Sequence, residues 1–384
     1  MKRKVLALTA IRSEYDLFYP VLDALRADFQ VGVVACGAHL TALHGRSISN
    51  IREDGFRIAA TVDNLRGVPD TEEGRVRSIG ALISGLAKPL ARENPDLLIV
   101  LGDREEALAG AIAAGYQNIA VVHIGGGDNT APAGGDVDEG ARHATTKLSH
   151  VHLALAKEHE RRLLALGEER WRVATIGNPG VDRLLSKKGF TRAELMKRLG
   201  APDRDFVVLI FHALSSTAAR AGRDMDACLD ACLDTGLEVF VSAPNSDPGS
   251  RDILAAVKRR SKEPRLHAYK NLPRAEFVSL LRHARALAGN SSLAFHEAPS
   301  LGLPCVNAGE RQTGRLNAGN VEFCAPDAAA ILKALSRAAF DEGYRARVRR
   351  LRSPYGDGRA AQRAVAFLKK LPGRDRLLAK RITY

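Results

Sequence analysis

No apolar run in this 384-residue chain approaches the roughly 20 residues needed to cross a bilayer. A membrane-spanning protein is therefore excluded, and the expected location is cytoplasmic. The opening Lys2-Arg3-Lys4 before Val5–Leu8 resembles a signal peptide only superficially. Arg12, Glu14 and Asp16 interrupt the apolar stretch, no small-residue cleavage site follows, and the segment reads as a first buried strand. Cysteine is scarce. The five present (Cys36, Cys228, Cys232, Cys305, Cys324) lack disulfide-scaffold spacing, and an odd number in a large chain fits a reducing compartment. Cys228 and Cys232 share a helix face but bring no further ligands, so no metal is expected. Aromatic residues make up 5% of the chain, and none is interleaved with basic residues in a nucleic-acid motif. The net charge of +13 (57 Lys and Arg against 44 Asp and Glu) then reads mainly as solvated faces, with attraction of an anionic substrate as the sharper reading and nucleic acid unlooked for.

What is present is a long alternation of β-rich apolar runs and helical patterns, the signature of doubly wound parallel sheets. Strands are expected at 5–10, 31–35, 97–101, 120–124, 151–155 and 173–176, with helices including 16–27 and 76–91. A second series follows Gly177-Asn178-Pro179-Gly180, a turn-rich stretch that reads as a linker. Its strands are expected at 207–211, 238–242, 265–269, 284–288 and 305–307. The chain is long enough for two domains, expected at 1–178 and 179–384, with the last helix packing back on the first domain. Two such domains imply a cleft between them.

Ligands of open α/β sheets bind beyond the carboxyl ends of the strands. Polar residues gather at those ends: Arg12–Asp16, Gly37-Ala38-His39, Gly102-Asp103-Arg104, His123–Asp128, His212, Asn245–Ser250 and Asn290-Ser291-Ser292. Each alone has an ordinary reading as a cap or turn. The stretch Gly289–Glu297 carries more. It reads as the start of a helix whose free amides and two hydroxyls would cradle phosphate oxygens, with Glu297 placed to accept from a ribose diol. Arg12, Arg311 and Arg315 are candidate diphosphate clamps, since guanidinium grips phosphate bidentately. Between Gly134 and His143, Asp136 and Glu139 have capping-box spacing, while Asp138 with Arg142, and Glu139 with His143, are i,i+4 pairs. These carboxylates, with Asp103 and Asp128, are candidates for acid–base work, and spacing does not choose among them.

The ordered set of these motifs closely resembles the UDP-N-acetylglucosamine 2-epimerases, in particular the hydrolysing branch of sialic and legionaminic acid pathways. The matching segments include Arg12-Ser13-Glu14-Tyr15-Asp16, Gly37-Ala38-His39-Leu40, Gly102-Asp103-Arg104 and His123–Asp128. They continue through Asp138-Glu139, Arg142–Lys147, Gly177-Asn178-Pro179, Pro244–Ser250, Gly289–Ser292 with Glu297, Gly309–Arg315 and Tyr355–Gly358. The resemblance implies a GT-B fold of two Rossmann-like domains, with the nucleotide held mainly by the second. It implies catalytic roles for Asp103, Asp128, Asp138 and Arg142, with His39 and His212. It implies nucleotide-sugar binding by Arg12, Arg104, His123, Asn245, Ser291, Ser292, Glu297, Arg311 and Arg315. The implied chemistry eliminates the nucleoside diphosphate across C1–C2 and then hydrates the glycal to a free 2-epimer. No redox cofactor or metal is implied, the partner is a UDP- or GDP-linked sugar, and a homodimer is expected.

Three positions depart from that family's pattern. Gly125 stands where relatives carry Glu or His, so the acid or base there is missing or replaced, with Asp128 the candidate substitute. His212 precedes Ala213-Leu214 rather than Pro, and Ala294 replaces a usual Gly. These departures keep other readings open: a non-hydrolysing epimerase, against which the Arg142–Lys147 motif argues, a GT-B glycosyltransferase, or a non-catalytic sugar-nucleotide sensor.

Overall fold

The computed structural model describes residues 2–42, 46–69, 71–130, 137–186, 189–244 and 249–383. These divide into two compact units. One takes residues up to Asp128, then Val137–Arg183 and the residues from Tyr355 onward; the other takes Leu184–Pro354 with Asn129 and Thr130. The first unit thus runs on past the Gly177–Gly180 turn, where Asn178 N donates to Tyr355 O at 2.7 Å.

The first unit is built on β1 (Lys4–Thr9), β2 (Gln30–Cys36), β3 (Arg57–Val62), β4 (Leu97–Leu101), β5 (Ala120–Ile124), β6 (Val151–Ala154) and β7 (Val173–Thr175). All are parallel, in the order β3-β2-β1-β4-β5-β6-β7. The central strands are buried along nearly their whole length and mostly apolar, as expected of parallel strands covered on both faces. On one face Leu6, Leu8, Leu98 and Val100 pack with Leu82, Leu86 and Leu90 of the helix Glu72–Glu93.

The second unit repeats the design with β8 (Phe206–Ile210), β9 (Glu238–Ser242), β10 (Leu266–Tyr269), β11 (Ala286–Gly289), β12 (Cys305–Ala308) and β13 (Val321–Cys324). Its order is β10-β9-β8-β11-β12-β13, again all parallel. In each sheet the order reverses beside the first strand. The switch points therefore fall between β1 and β4, and between β8 and β11, where open sheets bind ligands.

Sequence patterning anticipates eleven of these thirteen strands and misses β3 and β13. Both are sheet edges. Their mixed exposure, with Arg57, Thr61, Glu322 and Phe323 reaching solvent to differing extents, hides them from a search for continuous apolar runs.

Candidate active site

At the β8/β11 switch point the chain turns on Gly289. Its φ is +124°, and a Cβ there would lie 2.0 Å from Ile210 O, so only glycine fits. The turn delivers Asn290, 4% exposed, whose amide pairs with the main chain of His212 in both directions: N–H of His212 to Oδ1 and Nδ2 to O, each 2.8 Å. Asn290 O in turn accepts from Arg311 Nη1 at 3.3 Å and Gln312 Nε2 at 3.1 Å. Burial, with the nearby Arg311 charge, lowers the His212 imidazole to about 3, so it is neutral at physiological pH.

The expected helix at 289–297 is corrected. Only Leu293–His296 is α-helical, followed by a 3₁₀ turn at Ala298–Leu301, because Pro299 and Gly302 close the segment. Ser291 Oγ accepts from Leu293 N at 3.4 Å, and Ser292 stands before the helical turn without a side-chain cap. A full helix N-terminus is therefore not what these serines offer; they are two half-exposed hydroxyls on a tight turn beside Asn290. Burial lifts the Glu297 carboxyl to about 7. Arg315 braces rather than stands clear: Nη1 donates to His296 Nε2 at 2.8 Å and Nε to Gln312 Oε1 at 2.5 Å. Asn245 lies outside the described residues.

The first unit gathers carboxylates. Asp103 and Arg104 follow β4, and the helix Val137–Leu148 presents Asp138, Glu139 and Arg142. Arg142 is 1% exposed and reaches Asp103 with one nitrogen and Glu139 with the other; its Nη1 also donates to Asp128 O at 3.2 Å. A buried guanidinium flanked by two carboxylates is stable only because both charges and its hydrogen bonds are met. The i,i+4 pair expected between Asp138 and Arg142 is corrected: Arg142 takes Glu139, at i,i+3, while Asp138 meets Arg75 at 3.1 Å. Arg75 also holds Glu105 at 2.8 Å, and its charge helps keep that carboxyl below its usual range. The capping partner Asp136 is outside the described residues, while Glu139 lies 3.5 Å from His143.

Asp128 is 4% exposed, with Oδ1 3.3 Å from His159 Nε2. His123 is fully buried, its Nε2 donating to Gly102 O at 2.7 Å and its Nδ1 3.2 Å from Thr146 Oγ1, so the ring ties the Gly102 turn to the helix Val137–Leu148. Burial lowers it to about 3. His39 is likewise enclosed, between Thr9 Oγ1 at 3.1 Å and Ser47 Oγ at 2.8 Å, and burial lowers it to about 4. Arg104 binds Glu106 at 3.0 Å, and Arg12 opens the helix Arg12–Leu25 with Asp16 4.0 Å away.

The family model for UDP-N-acetylglucosamine 2-epimerase matches residues 23–369, nearly the whole chain. The chain belongs to that epimerase family. It is 32% identical, over 99% of both chains, to a UDP-N,N'-diacetylbacillosamine 2-epimerase (hydrolyzing) of Legionella pneumophila. A GDP/UDP-N,N'-diacetylbacillosamine 2-epimerase (hydrolyzing) of Campylobacter jejuni is 27% identical, covering 83% of this chain and 84% of its own. Among solved structures, the Neisseria meningitidis UDP-GlcNAc 2-epimerase bound to UDP-GlcNAc superposes with a TM-score of 0.78 at 22% identity, covering 96% of this chain and 100% of that one. The fold is accordingly of the GT-B type, two Rossmann-like domains.

Several residues that hold each of these two groups together are not picked out as site candidates from the sequence. His159, Gln312 and His296 gain their partners through contacts between distant segments, Arg75 from its place between Glu105 and Asp138, and Glu14 from the nearby Ala10 N–H. Glu14, His296 and Gln312 carried a signal, lying in the Arg12–Asp16, Gly289–Glu297 and Gly309–Arg315 motifs; Arg75 and His159 carried none. Lys147 sits at the far end of its helix, 3.2 Å from Glu168, and is a packing residue rather than part of the carboxylate group. Among the described residues no cluster of three or more His, Cys, Asp or Glu is arranged to hold a metal ion. No helix among them is long and apolar enough to cross a membrane.

Proposed function

We propose that this protein is a hydrolysing nucleotide-sugar 2-epimerase, converting a UDP- or GDP-linked 2-acetamido sugar to the free 2-epimer and a nucleoside diphosphate. The observation that carries the reading is the buried Arg142 holding Asp103 and Glu139 together beside Asp128, in a chain whose full-length relative is a hydrolysing 2-epimerase. Reaction at C2 of a sugar needs groups that accept and return a proton, and such an array supplies several carboxylates at fixed positions.

In the first step the C2–H and C1–O bonds break and C1=C2 forms. A carboxylate among Asp103 and Asp138 takes the proton, and the bonding pair leaves with the diphosphate. In the second, water adds at C1 and a proton returns to C2 on the opposite face. Arg142 fixes Asp103 throughout. In the second unit, Arg311, Ser291 and Ser292 meet the diphosphate, and Glu297 the ribose. Arg315 sets the loop that carries Arg311, and His212, held neutral, lines the same turn. Arg12 and Arg104 supply further positive charge, while His39 and His123 hold the loops of the first unit in place. Five free cysteines fit a cytoplasmic enzyme, and family resemblance favours a homodimer.

Incubation with UDP-GlcNAc and with UDP-N,N'-diacetylbacillosamine in deuterated water tests the reading. Free 2-epimer carrying deuterium at C2, with stoichiometric UDP, is the expected result. Label confined to intact nucleotide sugar would make the enzyme non-hydrolysing, and no label with either sugar would refute epimerase chemistry.

A further inference from the structure

The resemblance leads one to expect an ionisable side chain at Gly125, and the loop here is held in a backbone conformation that disfavours one. Gly125 has φ +89° and Gly127 φ +77°, both in the left-handed region. A Cβ on Gly126 would come 2.9 Å from Thr146 Oγ1, and one on Gly127 would come 2.3 Å from His159 O. Gly127 thus lets the loop lie directly against the first turn of the helix Lys157–Ala165, and Gly126 lets it lie against Thr146. That close approach has one polar consequence. Asp128, the next residue, meets the His159 imidazole, 3.3 Å from Oδ1 to Nε2. His159 is fully buried and its ring packs edge-on against Tyr355, centroids 5.8 Å apart, which restricts its rotation. The loop is clamped on its other side by Arg162 Nη1 on Gly127 O and Arg142 Nη1 on Asp128 O, each 3.2 Å.

The partners of the carboxylates separate their tasks. Asp103 faces Arg142 and Asp138 faces Arg75, each a permanent cation that fixes its carboxylate in place. Asp128 faces an imidazole, a side chain that can either donate to the carboxylate or accept from it.

We propose that His159 is a positioning residue that holds the Asp128 carboxylate, and that the pair supplies the proton taken up at C2 when the glycal is hydrated. The pair replaces the side chain absent at Gly125. The proposal rests on the hydrolysing epimerase reading above. In the balanced step, water oxygen bonds to C1 and the C1=C2 pair takes the proton from Asp128 to form C2–H. The proton lost by water restores the Asp128–His159 pair, and no oxidant, reductant or metal takes part.

The test uses the full chain with UDP-GlcNAc or UDP-N,N'-diacetylbacillosamine, following UDP, free sugar and 2-acetamidoglycal by NMR. Variants are His159→Phe, His159→Gln (whose amide N–H can reach the Nε2 position) and Asp128→Asn. Wild-type protein that releases no free 2-epimer overturns the functional reading and this proposal with it. Given wild-type turnover, His159→Phe should lower kcat about tenfold or more, leave KM and calorimetric UDP binding unchanged, and release glycal. Asp128→Asn should release glycal too, the double variant should be no worse than the worse single one, and His159→Gln should recover most of kcat. Should His159→Phe not fold, by circular dichroism, His159→Gln and Asp128→Asn decide. Loss of turnover in the folded Gln variant equal to that in Asp128→Asn, with no glycal from either, overturns the His159 role while leaving the epimerase assignment in place.

Discussion

Asn290 and His212 exchange two hydrogen bonds of 2.8 Å, amide against main chain, and so tie the loop after β11 to the loop after β8. Everything proposed for diphosphate binding hangs on that join, since Asn290 O also anchors Arg311 and Gln312. Asn290→Ala leaves two main-chain groups of His212 without these partners, at about 1–3 kcal/mol per buried group. UDP affinity, measured by calorimetry, is expected to fall roughly tenfold or more. An unchanged dissociation constant would remove this join from the binding account.

Asp103→Asn keeps the side-chain shape beside Arg142 but removes the charge. Turnover should fall by a factor on the order of 100 to 10,000, the usual worth of a positioned acid–base group. UDP binding should persist, because the groups proposed to hold the diphosphate belong to the second unit. Loss of UDP binding in this variant would count against the division of roles.

Gly289→Ala would place a Cβ 2.0 Å from Ile210 O at a φ of +124°. Backbone strain and overpacking together are expected to cost at least about 3 kcal/mol, read as a lower urea midpoint. The turn is the rigid point from which Asn290 is aimed, so a stable Gly289→Ala protein would show that β11 has an alternative path.

Gly125→Glu, which supplies one of the side chains the resemblance leads one to expect there, should not raise turnover. At φ +89° an L side chain strains the backbone by about 1–2 kcal/mol, and the neighbouring glycines leave the loop no room to relax. A gain in kcat would mean that the loop adapts and that Asp128 is not the substitute.

Glu14 is 6% exposed, accepting from Ala10 N at 2.8 Å and Thr9 Oγ1 at 3.0 Å, and burial lifts its carboxyl from 4.5 to about 7. A folded-state pKa above the unfolded one means the native state binds the proton more tightly. The associated stability is complete below pH 4.5 and is lost as pH rises through 7. At 1.36 kcal/mol per pH unit it amounts to something on the order of 3 kcal/mol. His39 and His123 act in the opposite sense, their lowered values removing stability as pH falls below 6.5. Comparison with Glu14→Gln isolates the first effect: relative to that variant, wild type should lose stability between pH 4.5 and 7 in denaturant titrations. A constant difference across that window would mean Glu14 is ionised in the native state.

Much of the fold was legible because central parallel strands are buried on both faces and read as unbroken apolar runs. β4, β5 and β9 lie where patterning places them, to the residue. Asp103, Asp128, His212 and Asn290 were also legible as polar residues standing within a few positions of strand ends. The hidden part was of a different kind. Arg142 choosing Glu139 over Asp138, Arg75 bridging Glu105 to Asp138, and Arg315 turning to His296 depend on which side chains share a buried volume.

By itself, then, the sequence determined the alternation of strands and helices, the parallel sheets that follow from it, and which polar residues stand at the strand ends. It also carried the ordered motifs that place the chain among the 2-epimerases. Tertiary structure alone decided the partners: His159 with Asp128, Arg142 with Asp103, Asn290 with His212. The physical reason is range. Period and propensity act over a few residues, whereas a buried charge or amide is satisfied by whatever group folding brings within about 3 Å, however distant in the chain.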